Sequence, residues 1–160
     1  MTGKVKLTNS ELMLASQLGV MRRVASRQRN LPDTTNTKHH WDADIVGAIA
    51  EMAYCKRYNL YWNPSINVGG EPDIEGLHIR ATTLAHGKLI IREHERHKPN
   101  LPYFLIIVQD AECTIAGWAY ADDVRQDKFY RPKDETGNAA WWYPQHLLRT
   151  DNPLENPAHA

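Results

Sequence analysis

The sequence predicts an α/β (α+β) domain, on three observations. Two helix patterns come first, over residues 8–28 and 43–57, and strand patterns follow them. Residues Leu77 to Thr83 alternate in a period of two, the signature of a half-buried strand. Tyr103 to Val108 is a continuous apolar run, the pattern of a strand covered on both faces. With 160 residues, 42% hydrophobic and 24% charged, the chain suits one globular core.

The first helix opens on Thr8-Asn9-Ser10-Glu11, a capping box in which Glu11 reaches back to the cap. Leu14, Leu18, Met21 and Ala25 recur at helical spacing and predict its buried face. Arg22, Arg23, Arg27 and Arg29 crowd its last turns, where cations complement the helix dipole. They read either as a solvated face or as a phosphate-contacting one. Residues 30–41 form a polar connection that could contact a ligand. Asp42 or Asp44 is expected to cap the second helix, whose Ile45, Ile49, Met52 and Ala53 make an apolar stripe. Gly47, Ala48, Ala50 and Ala53 allow it to pack closely on a sheet. Glu51 is the one acid in the middle of this segment and requires a partner, a metal or solvent. Arg22 and Arg80 are candidate partners.

Leu60-Tyr61-Trp62 and Ile66-Asn67-Val68 are short strand candidates. The turn Gly69-Gly70-Glu71-Pro72 then delivers Asp73 to the alternating strand. His86-Gly87 predicts a hairpin that returns Lys88 to Arg92 against that strand. Asp110-Ala111-Glu112 turns the chain into a strand reaching Tyr120, with Cys113 placed near the turn. A short helix starts at Ala121, and Trp141-Trp142-Tyr143 lays an aromatic segment back on the body. The reading is a single domain over 1–150: a basic helix and linker over 1–40, a core over 42–120 and a packing segment over 121–150. Residues 151–160 form a flexible tail.

Formal net charge is zero, which gives no global attraction to nucleic acid. Residues 1–40 nevertheless hold seven Lys and Arg against two acids, an excess of five. A local basic face of this kind can bind a phosphate backbone. The two cysteines are read as free thiols of a reducing, cytoplasmic compartment. No apolar run reaches membrane-spanning length, and no signal peptide is visible. A Gly-rich phosphate loop, a Cys-x-x-Cys pair and a nucleophile elbow are all absent.

Period two puts His78 and Arg80 on one face of the strand and Leu77 and Ile79 on the other. If Asp73 abuts the strand and the second helix crosses the sheet edge, Glu51, Asp73 and His78 converge beside Arg80. Carboxylates so placed can hold a hard divalent cation. The competing reading is an ion pair between Asp73 and Arg80 that only stabilises the sheet. Trp118, Trp141, Trp142 and Tyr143 either stack on bases or pack in the core.

The helix Gly47-Ala48-Ile49-Ala50-Glu51-Met52-Ala53, the pair Pro72-Asp73 and His78-Ile79-Arg80 together resemble the PD-(D/E)XK, or restriction-endonuclease-like, nuclease superfamily. Ile79-Arg80-Ala81-Thr82-Thr83, Leu89-Ile90-Ile91 and Ala116-Gly117-Trp118 are similar to its small phage- or prophage-encoded members. The resemblance spans residues 42–120. It implies a central mixed sheet flanked by helices, and a divalent-metal-dependent phosphodiesterase acting on DNA. Glu51, Asp73 and His78 would hold Mg²⁺ or Mn²⁺, Arg80 would position the scissile phosphate, and Arg22, Arg23, Arg27 and Lys38 would follow the backbone. A homodimer is compatible with it. Two positions depart from the pattern: His78 stands where the family has an acid, and Arg80 where it has Lys. Histidine favours Mn²⁺ over Mg²⁺, and arginine cannot act as a general base. The alternative is an inactive module of the same fold that binds nucleic acid or a protein.

Overall fold

The computed structural model describes residues 3–32, 39–66, 73, 74, 76–95, 101–135 and 137–151. Lys38, Glu75, the 69–72 turn and most of the tail lie outside them.

A short strand, β1 (Gly3–Lys6), leads into α1 (Asn9–Gln28). Thr8 caps α1: its hydroxyl accepts from the Glu11 amide at 3.2 Å, and the Thr8 amide donates to Glu11 at 2.7 Å. The expected capping box is therefore formed. The buried face of α1 differs from the expected stripe. Ala15, Leu18, Gly19 and Arg23 are buried, whereas Leu14 and Met21 are about half exposed. The reason is the approach of α2 (His40–Tyr58). A Cβ on Gly19 would lie 2.5 Å from the Ile45 Cα, so the helices cross where α1 is smallest. The face carrying Ala15 and Gly19 wins over the bulkier Leu14 and Met21.

The second helix begins earlier than its acids suggested. His39 occupies the cap position without a side-chain cap bond, and Asp42 falls in the first turn. Helix α2 ends at Asn59, in the left-handed conformation with φ of 53°. Residues 60–66 form no strand, contrary to expectation at Leu60-Tyr61-Trp62.

Strand β2 (His78–Thr82) forms as the alternation predicts. The expected second arm also forms, but it does not pair with β2. The strand β3 (Leu89–Arg92) pairs with β7 (Ala140–Tyr143), and β2 instead runs parallel to β4 (Pro102–Gln109). Residues 83–101 thus make a crossover that contributes β3 to a second sheet, long enough for a parallel connection. Strand β5 (Glu112–Tyr120) returns antiparallel to β4, with a register shift at Leu105/Ile106, and Cys113 is its second residue, just past the turn. Helix α3 (Ala121–Val124), β6 (Tyr130–Arg131) and two short 3-10 helices, Asp127–Phe129 and Gln145–Leu147, complete the elements described.

Two sheets of mixed orientation result. One has the order β1-β5-β4-β2, the other β3-β7-β6. Strand β4 is covered on both faces, as its apolar run requires. Phe104, Ile106 and Val108 pack with Ile49, Ala53 and Tyr54 of α2. Tyr103 and Leu105 pack with Leu89 and Ile91 of the second sheet and Val124 of α3. The layers are helices, four-stranded sheet, three-stranded sheet. Cys55 and Cys113 are free and buried, and burial pushes both thiols up to about 11. Among the described residues no helix is long and apolar enough to cross a membrane.

Candidate functional site

Helices α1 and α2 bring Arg22 onto Glu51. Glu51 is 4% exposed and receives both terminal nitrogens of Arg22, Nη1 at 2.6 Å and Nη2 at 2.8 Å. The remaining Arg22 nitrogen, Nε, donates to the Ser65 carbonyl at 3.2 Å. Burial pushes the Glu51 carboxyl up; Arg22 opposes this, and the charge of Asp73 adds to the rise. Glu51 thus lies within electrostatic reach of Asp73. The buried Trp62 Nε1 has no hydrogen-bond acceptor among the described residues.

Asp73 sits at the open edge of the four-stranded sheet, because β2 is an outer strand. Its Oδ2 accepts the Ile79 amide at 2.7 Å and so caps a backbone donor that β4 leaves unpaired. His78 Nδ1 lies 3.7 Å from the same oxygen and Arg80 Nη1 3.9 Å. Both contacts are electrostatic, beyond hydrogen-bond length. Burial raises the Asp73 carboxyl, but His78, the Arg80 charge and the Ile79 amide outweigh it and hold it below the usual carboxylate range.

Arg80 is fastened rather than free. Its Nε donates to the Ile90 carbonyl at 3.3 Å, Nη1 to the Ile79 carbonyl at 3.1 Å, and Nη2 to Glu95. Its guanidinium lies 5.0 Å from the centre of the Tyr103 ring, and the His78 ring stacks on the same tyrosine at 4.7 Å. Arg92 Nη1 shares Glu95 at 3.2 Å. Burial pulls the Arg92 guanidinium below its usual value, opposed by Glu95 and reinforced by the Arg80 charge.

The structure therefore gathers Glu51, Asp73, His78 and Arg80 into one neighbourhood. It also recruits Arg22 into that neighbourhood as the clamp on Glu51, away from a solvated basic face. Arg23 is 6% exposed and pairs with Asp44 at 2.5 Å, so it too is turned inward. Arg27 lies over the exposed Trp41 ring at 5.0 Å, and Lys38 falls outside the described residues. Glu95 and Tyr103 were not legible as site residues. The spacing Arg92-x-x-Glu95 is the one signal the sequence offers, and Glu95 lies beyond the strand pattern that ends at Arg92.

No family model, curated protein or solved structure matches the chain.

A metal fits these side chains poorly as they are placed. Arg22 takes both Glu51 oxygens, and Asp73 is surrounded by donors and positive charge. Among the described residues no group of three or more His, Cys, Asp or Glu is positioned to hold an ion. Beside the cluster lies an open cleft of about 630 Å³. Val46 and Gly47 of α2 form one wall, and Arg80, Thr82 and Arg92 the other. A side chain at position 47 would meet no atom within 4 Å, so the wall is open there.

Proposed function

We propose that this chain is a nucleic-acid-binding module of restriction-endonuclease-like layout, in which the acid cluster is held by ion pairs. One observation carries the reading: Arg22 occupies both oxygens of Glu51, the position that the resemblance assigns to metal. Two guanidinium groups, Arg80 and Arg92, line the adjacent cleft, where they share Glu95 and stand opposite Asp42, and a phosphate entering it would meet them there. A cytoplasmic setting in a bacterial host or phage-infected cell, and encoding by a phage or mobile element, belong to the same proposal, as does a homodimer.

A second reading is the metal-dependent phosphodiesterase, using Mg²⁺ or Mn²⁺ on Glu51, Asp73 and His78. It is favoured by the placing of His78 Nδ1 3.7 Å from Asp73 Oδ2, two groups able to face one transition-metal ion. Plasmid nicking by wild type and Asp73→Ala, with each metal, separates the two when run beside DNA binding in EDTA. Salt-sensitive binding without cleavage supports the module. Cleavage that needs metal and disappears in Asp73→Ala establishes the phosphodiesterase instead.

A further inference from the structure

We propose that the outer face of the three-stranded sheet, continuous with the cleft beside β2, is a stacking platform for single-stranded nucleic acid. The proposal deepens the nucleic-acid reading above and rests on it for the class of ligand.

Register places the residues. Leu89 and Ile91 are fully buried against the β4 side, so Ile90 and Arg92 occupy the opposite face. Ile90 pairs with Trp142, Arg92 with Ala140, and Arg131 with Ala140. Trp142 therefore shares the outer face with Arg92 and Arg131, which flank Ala140 one row away. Neighbouring Trp141 packs on the inner side with Tyr143. The Arg131 guanidinium lies over the Trp142 ring, 4.9 Å from its centre. Arg131 is exposed and is the outer layer of this cation–ring pair, above the half-buried Trp142.

The charge on this face suits a phosphodiester. No carboxylate among the described residues pairs with Arg131; Glu93, which accepts from the Tyr130 hydroxyl at 2.9 Å, keeps its negative charge at the edge of this face. Arg92 shares its one carboxylate, Glu95, with Arg80. Arg92 also lines the cleft, so the platform and the cleft meet at this residue. An unpaired base can lie on the guanidinium–indole stack while its phosphate meets Arg92. A duplex keeps its base faces inside the helix and cannot use such a surface. The occupant is therefore single-stranded.

The test is fluorescence anisotropy of a labelled oligo(dT) and of a matching duplex, in EDTA so that cleavage does not intrude. Wild type is compared with Trp142→Ala, Trp142→Phe, Arg131→Ala and Lys4→Ala. The single strand should bind more tightly than the duplex. Trp142→Ala and Arg131→Ala should each weaken it by about tenfold, with Trp142→Phe retaining most of the affinity. Lys4→Ala, on an exposed ion pair elsewhere, should leave it unchanged. Thermal melts report the folding of each variant, and Arg131→Ala at its exposed position carries the test if Trp142→Ala does not fold. Binding that ignores both Trp142 and Arg131, or that prefers duplex, overturns this inference and leaves the nucleic-acid reading standing. No binding of either DNA overturns both.

Discussion

Arg22 closes both terminal nitrogens onto the Glu51 carboxylate across the α1–α2 interface. The side chains are 18% and 5% exposed, so each charge depends on the other for compensation. Removing one partner leaves a buried charge unpaired, which costs about 3–5 kcal/mol. Arg22→Met and Glu51→Leu should each lose that order of stability in urea unfolding. The double variant should lose much less, because apolar side chains tolerate the site. Additive losses in this double-mutant cycle would sink the account of Glu51 as an ion-pair residue.

Gly19 sets the distance between the same two helices. A methyl group there meets the backbone of Ile45 and Asp44, at 2.5–2.8 Å, and backbone cannot rotate away. Gly19→Ala should therefore cost about 1–3 kcal/mol even though alanine favours the helix. Thermal denaturation reads the loss. An unchanged or raised Tm would mean that the helices shift apart freely.

The two acids of the site should respond to pH with opposite signs. Asp73 is held below its ordinary value of 3.8, so the folded state binds its proton more weakly than the unfolded state. Its stabilisation is present above that value and is lost as pH falls through the depressed one. Glu51 is raised above 4.5, so its contribution is present at lower pH and is lost as pH rises through the raised value. Urea unfolding of wild type and Asp73→Asn from neutral pH to below 3.8 should show their stability difference shrinking toward the acid end. A difference that stays constant across the series would remove Asp73 from the acid response.

At the start of α1, Thr8→Ala removes the acceptor for the Glu11 amide and should cost about 1 kcal/mol. By contrast Lys4→Ala breaks an ion pair whose side chains are 73% and 47% exposed, and the melting temperature should barely move.

Local rules of the sequence translate directly into this fold. The capping box at Thr8, the alternation of β2, the doubly buried β4 and the short α3 all follow from patterns within a few residues. Pairing between distant segments does not. The His86-Gly87 turn suggested that β3 folds back on β2, but β3 finds its partner at residues 140–143. That choice depends on aromatic residues far downstream, which no local period reports. The buried face of α1 was misread for a related reason. Hydrophobicity marked Leu14 and Met21, while the fit of Gly19 against Ile45 decided the contact. At the site, the need of Glu51 for a partner was legible, and Arg22 was one of two candidates. The roles of Glu95 and Tyr103 depend on the crossover and could not be read before it was seen.

Strand β1 pairs with β5 so that Lys4 reaches Glu112, 108 positions along the chain. During synthesis, β1 emerges long before residues 112–115 exist to receive it. The helices that follow it can form early, from contacts near in sequence, but the sheet beneath them closes only when β5 has left the ribosome. A stall or truncation ahead of residue 112 would release a chain with α1 and α2 in place and the hydrogen-bonding edge of β4 unpaired on its β5 side, a species open to aggregation.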